Sequence, residues 1–374
     1  MNAKTTVILA VAMFIMASTL AITASDGSDA AMTLTDGEGN KITLDGPADH
    51  IITIGVGVTA TAIGLGALDK IMVCDSYSYT NSDPLFDDLK QYVKDGKIAA
   101  GGNIYSTGKD QLKIDIIDAS EPTKESHFDK DKDVVLAVVS PSYKQNLDFL
   151  AEEGYKNVMY WSTVENYDDI VDFVDTISKV CTGTTDKKVD EMKDIVNDIA
   201  VILDNKKVEN KEAFYVTYSS GTFKVGNTTS LTTVMIEAAG GIVITKDDTK
   251  TGSTIEVSLT SLIEEHPNVV IFADSQICNT SGINNQERFN DLRKEVGNDV
   301  EIFGLETIWN NFSIESAKGV HYMAGCMYPD IIDDGGSSAG GSSDSTMTYV
   351  AAGIVAVVIL CVAAYLFMRG PGKH

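Results

Sequence analysis

Between residues 50 and 304 the chain alternates short β-branched runs with longer amphipathic stretches, the rhythm of an α/β fold. The strand candidates fall into two sets. HIITIG (50–55), KIMVC (70–74), DVVLAVV (133–139) and NVMYW (157–161) come first, followed by AFYVTY (213–218), NVVIFAD (268–274) and VEIFG (300–304). Between the sets, the stretch from Tyr167 to about Asn205 has helical patterning broken at CTGTT (181–185). Its second part is apolar at 189, 192, 195, 196, 199, 202 and 203, a 3.6-residue period that predicts one long helix joining two α/β lobes. A weak internal repeat fits related lobes. IDIIDASEPT (114–123) and VSLTSLIEEHPN (257–268) each place a short helix and a proline ahead of a hydrophobic strand.

Two outlying segments are strongly apolar, and the C-terminal one is apolar on every face. Residues 349–368, YVAAGIVAVVILCVAAYLFM, are uncharged and long enough as a helix to cross a hydrocarbon core of about 30 Å. A Gly/Ser-rich linker (333–348) precedes them, and Arg369 and Lys373 follow, so the positive-inside rule puts the His374 end in the cytoplasm and the rest outside. At the other end, Lys4, the apolar run Val7 to Ile22 and small residues up to Ala24 read as a signal peptide, 1–24. An uncleaved N-terminal anchor is the alternative; no Cys follows closely enough for a lipid anchor. The expected organisation is an N-terminal α/β lobe (30–165), a helical connection (166–210), a C-terminal α/β lobe (211–332), the linker and a transmembrane anchor. That describes a single-pass cell-membrane protein with an extracellular ectodomain.

Charge narrows the partners. Asp and Glu number 54 against 29 Lys and Arg, a formal charge of −25, and the only arginines are Arg288, Arg293 and Arg369. A chain this acidic with no basic patch is unsuited to nucleic acid or anionic headgroups, and it suits a soluble, monomeric ectodomain. The ectodomain cysteines Cys74, Cys181, Cys278 and Cys326 are widely and irregularly spaced, open to disulfide pairing but better suited to buried thiols.

No GxSxG, HExxH or phosphate loop occurs, and His50, His127, His266 and His321 are scattered, so neither catalysis nor a resident metal or cofactor is expected. What stands out is a set of aromatic and amide residues at strand ends. In α/β sheets ligands bind beyond the carboxyl ends of the strands, where aromatics offer apolar area with a polar handle. The candidates are Tyr77 and Tyr79, Asn103 and Tyr105, Tyr143, Trp161, Tyr218, Asp274, Trp309 and Asn310. Ordinary packing is the competing reading for each.

Residues 33–75, TLTDGEGNKITLDGPADHIITIGVGVTATAIGLGALDKIMVCD, resemble the opening of the substrate-binding proteins of ABC importers for metal chelates. The resemblance continues through IDIIDASEP, LAEEGYKNVMYW, VGNTTSLTTVMIEAAGGI, VSLTSLIEEHPNVVIFAD and a closing MYPD (327–330), covering about 30 to 330. It implies two Rossmann-like lobes bridged by a rigid helix, no enzymatic activity, and an ABC permease with its ATPase as partners. Implied ligands are ferric siderophores, haem, corrinoids or, in some members, oxyanions. It also implies permease docking by an acidic residue on each lobe. Asp115 matches in the first; in the second Val234 takes that place, with Glu237 one turn later. The shortage of arginine departs from what highly anionic siderophores require and favours a neutral or cationic chelate. The expected function is therefore a membrane-tethered receptor delivering an iron or cobalt chelate to a permease. The rival is a sensory or surface ectodomain that binds a small molecule without a transporter.

Overall fold

The computed structural model describes residues 31–332, apart from 106–107, 124–125 and 248. The expected signal peptide, linker and membrane anchor lie outside these residues; among the described residues no helix is long and apolar enough to cross a membrane. A hairpin of β1 (Met32–Thr35) and β2 (Lys41–Leu44) opens the chain. The Asp36 carboxylate closes its turn, accepting from Glu38 N and Asn40 N, and ties it to the next sheet by accepting from Tyr160 N at 2.9 Å.

The first lobe is a four-stranded parallel sheet in the order β4-β3-β5-β6, from β3 (Ile51–Ile54), β4 (Ile71–Cys74), β5 (Val134–Val138) and β6 (Val158–Trp161). All four are near-continuous apolar runs, as strands covered on both faces must be. Alternation divides them. Ile52, Ile54, Val135 and Ala137 pack with Leu112 and Ile116 on one side, while Ile51, Val134, Leu136 and Met159 face the other. Helices Tyr167–Thr182 and Lys187–Lys206 follow, separated by a turn at Gly183, whose φ of 81° suits glycine. The break falls at the CTGTT segment (181–185), where the helical patterning is interrupted.

The second lobe's sheet runs β10-β8-β7-β11-β14, with β9 also paired to β7. Its strands are β7 (Glu212–Ser219), β8 (Thr222–Gly226), β9 (Ile242–Val243), β10 (Thr254–Ile255), β11 (Val270–Ala273) and β14 (Glu301–Gly304); β12 (Cys278–Asn279) and β13 (Gly282–Ile283) form a separate hairpin. β7, β11 and β14 are parallel, whereas β8 and β10 form an antiparallel edge.

One hydrophobic core runs through both lobes. Ile51, Leu136 and Met159 of the first sheet share it with Tyr215, Val270 and Phe272 of the second, bridged by Phe173, Ile177, Met192 and Val320. The contact is intimate: an added Cβ on Gly57, in the helix Val56–Gly64, would lie 2.1 Å from the Phe312 carbonyl oxygen. Ile314 N donates to Thr61 Oγ1 at 3.2 Å, and Tyr167 and Ser316 share a hydroxyl–hydroxyl bond of 3.0 Å. A contiguous apolar core between lobes resists hinge opening, since separation would expose it to water. Cys74, Cys181 and Cys278 are buried free thiols.

Candidate functional site

The first wall of the site grows from the loops after β3 and β4. Asp75 directly follows β4, is 2% exposed, and caps the short helix Ser76–Thr80 by accepting from Tyr77 N (2.8 Å) and Ser78 N (3.1 Å). Its other oxygen accepts from Gly55 N at 2.6 Å, so one carboxylate binds two strand-end loops together. Burial pushes its pKa above the ordinary carboxylate range, and these hydrogen bonds pull it back. Ser76 N then donates to Gly102 O at 2.7 Å, Asn103 Nδ2 to Ser76 Oγ at 3.2 Å, and Asn146 Nδ2 to Ile104 O at 2.7 Å. Gly102 has no room for a side chain, because a Cβ would lie 2.2 Å from Gly108 O.

This stitching brings three tyrosines together. The Tyr77 and Tyr105 ring centroids are 6.0 Å apart and those of Tyr105 and Tyr143 are 5.0 Å apart, within the range of favourable aromatic pairs. They are 48%, 39% and 39% exposed, an aromatic surface that no protein side chain covers fully. Asn103 supports it, accepting from Tyr105 N at 3.0 Å. Tyr79 is half-buried at the end of the same short helix.

Burial of the Tyr105 phenol, with the Asp75 charge and the neighbouring tyrosines adding, pushes its pKa up to about 12, and burial does the same for Tyr160. Tyr105 therefore offers a neutral hydroxyl. An unfolded tyrosine ionises near 10, so above that pH the unfolded chain sheds protons that the folded one keeps. The stability these groups contribute is complete below about pH 10 and is lost as pH rises towards 12. A melting temperature that falls across this window, tracked beside phenolate absorbance, is the expected result.

The second wall lies at the ends of β11 and β14. Asp274 follows β11 and accepts from Gln276 N at 2.8 Å and from the Tyr215 hydroxyl. Tyr215 is buried, and desolvation beside Asp274 raises its pKa well above the usual value, so it remains a donor. Asn310 Nδ2 donates to the Tyr215 hydroxyl at 3.0 Å, and Thr232 donates to Asn310 Oδ1. Around this network is a cavity of about 170 Å³ lined by Asp274, Ser275, Gln276, Leu305, Glu306, Thr307, Asn310 and Asn311. A second cavity, of about 230 Å³, lies between the joining helix and Gly64, at the far end of the helix that begins beside the strand ends. The strand-end cavity has the convergent polar groups of a site. The segment that lines it runs on to the lobe seam, where Phe312 approaches Gly57, two residues from the Gly55 that Asp75 holds.

Three expected site residues do other work. Trp161 is a correction: it is 4% exposed, stacks edge-on against Phe173 at 5.0 Å and belongs to the shared core. It shares β-strand parity with Met159, which directs it inward. Trp309 is half-buried, packing on Tyr322 at 5.2 Å and against Gly319 of the last helix, Ser316–Met327. Tyr218 packs on Phe223 at 5.1 Å and carries the Arg288 guanidinium 4.7 Å above its ring. Of the stretch Trp309-Asn-Asn-Phe312 only Trp309 and Asn310 were chosen, and the sequence candidates did not include Glu306, Thr307, Ser275 or Gln276. Their signal was position alone, within a few residues of the ends of strands β11 and β14. Among the described residues no group of three or more His, Cys, Asp and Glu could hold a metal ion.

Asp115 and Glu237 are both engaged. Asp115 accepts from Gly101 N at 2.7 Å and Gln111 Nε2 at 2.8 Å, while Glu237 pairs with Lys246 at 2.7 Å with its side chain 39% exposed.

The fold is that of solved binding proteins. The catecholate-siderophore binding protein VctP of Vibrio cholerae is 15% identical, with 79% of this chain and 99% of that one covered at a TM-score of 0.55. The vitamin B12 binding protein BtuF of the same organism is 16% identical, covering 76% and 98% at 0.53. A periplasmic haem binding protein of Pseudomonas aeruginosa is 12% identical, covering 78% and 99% at 0.53. No protein-family model and no curated protein matches the sequence.

Proposed function

We propose that this protein is the extracytoplasmic receptor of an ABC importer, held at the cell surface by residues 349–368, which captures an iron- or cobalt-containing chelate and passes it to a permease. One observation carries the reading: an exposed tyrosine surface and a polar cavity stand at strand carboxyl ends on the two sides of a lobe seam sealed by a common core. Binding fits that arrangement better than chemistry, because the site offers contact area and hydrogen bonds without a nucleophile–base pair. The ligand body, a siderophore, haem or corrinoid, rests on Tyr77, Tyr105 and Tyr143. Because the lobes share a core, capture involves little closure. Docking on the permease is assigned to Asp115 and Glu237, whose carboxylates would have to exchange their present partners for permease arginines.

Fluorescence titration of the purified full-length protein with ferric siderophores, haem and corrinoids tests the reading. At least one should bind, and Tyr105→Ala should weaken it about tenfold or more, since an aromatic contact at a binding surface contributes roughly 1 to 3 kcal/mol. Binding of none of the three classes would refute the receptor.

A further inference from the structure

The two walls differ in chemistry, and that difference identifies the ligand more closely than the fold does. The tyrosine side is aromatic. The cavity side is dominated by acceptors: two carboxylates, Asp274 and Glu306, with Ser275, Thr307 and Asn310 around them and no lysine or arginine in its lining. Both carboxylates hold neutral donors. Asp274 has the Tyr215 hydroxyl and Gln276 N, and Glu306 has Thr280 N at 3.2 Å, the Thr280 hydroxyl and Asn279 Nδ2 at 3.4 Å. A carboxylate has about four acceptor sites, so each keeps capacity for a further donor. The cation at the rim is Arg288, engaged with the Tyr218 face and Gln276 Oε1. At about 170 Å³ the cavity is below the roughly 300 to 1,000 Å³ of a whole-ligand pocket, and matches a single arm of a larger molecule.

We infer that Asp274 and Glu306 are the charge-selecting residues of the site, and that the ligand is a chelate with a positively charged, hydrogen-bond-donating arm that enters this cavity while its body lies on the tyrosines. This rests on the chelate-receptor reading. An ammonium group, with three N–H donors, or a guanidinium, with five, matches a lining whose free capacity is mostly that of acceptors. An anionic arm meets two like charges in a cleft that screens poorly. Tri-anionic catecholate complexes are thereby disfavoured.

Three ferric trihydroxamates test the inference: one with a free pendant ammonium, its N-acetylated neutral form, and its N-succinylated anionic form. They share metal, chelating groups and backbone. Titrated into the full-length protein, the ammonium form should bind at least tenfold more tightly than the neutral one, and the anionic form more weakly still. Raising salt should erode the preference. Glu306→Gln and Asp274→Asn, which keep shape, should each reduce it several-fold without a comparable change for the neutral form. Equal affinities, a preference for the anion, or selectivity untouched by both substitutions would overturn the inference while leaving a receptor in place. If none of the three binds, the inference falls; haem or corrinoid binding in parallel preserves the receptor reading, and its failure too removes both.

Discussion

Trp161→Ala should lower unfolding stability by about 3 to 5 kcal/mol, the usual cost of truncating a packed tryptophan, and leave chelate affinity of the folded protein unchanged. The indole is almost fully enclosed. Phe173 meets it edge-on, Gly37 of the opening hairpin has its Cα so close that a Cβ would lie 2.4 Å from the ring, and Phe173 in turn contacts Phe312 at 5.7 Å. Removing the ring empties a space bounded by the hairpin, the first sheet and the helix Tyr167–Thr182, and rigid neighbours cannot collapse into it. A denaturant curve and a calorimetric titration on the same variant decide the matter. Retained stability with a large loss of affinity would return Trp161 to the site.

Gly57→Ala should also be severe, and it should act on both stability and binding. The new methyl would lie 2.1 Å from Phe312 O, 2.8 Å from its carbonyl carbon and 3.1 Å from its nitrogen, all backbone atoms that no rotamer change can move. Overpacking of this kind costs about 1 to 3 kcal/mol or more. Relief requires the segment around Phe312 to retreat, taking with it Asn310 and Asn311 of the cavity and widening the seam against the tyrosine wall. Gly64→Ala is the internal control, since its Cβ would meet Ile314 Cγ2, a side-chain methyl that can turn aside. The expected order is a larger melting loss and a larger affinity loss for Gly57→Ala. Equal behaviour of the two would argue that the seam does not set the site's geometry.

Part of the candidate site could be picked out from the sequence pattern. Tyr77, Tyr105 and Tyr143 stand after or between strand ends, and a strand that runs into a polar aromatic sequence announces where a sheet meets solvent. Asp274 and Asn310 were chosen on the same ground, and both line the cavity. Trp161 followed that logic too and failed, because it is the last residue of its strand rather than the first beyond it. Its parity with Met159 was the better guide. Glu306 and Thr307 escaped notice because acidic and small polar residues after a strand look like any solvated loop.

The chain by itself determined the α/β alternation, the parallel strands β3 to β7, β11 and β14, and the break near Gly183, because hydrophobic periodicity is a local property that each segment expresses independently. The short antiparallel edge of β8 and β10 left no such pattern. Tertiary structure alone decided that the lobes share one core, that Gly57 must be glycine, and that Trp161 belongs inside. It also decided which polar residues gather into a cavity. Those facts depend on contacts between residues up to about 255 positions apart, such as Gly57 with Phe312, and a spacing along the sequence cannot encode which surfaces will be pressed together in space.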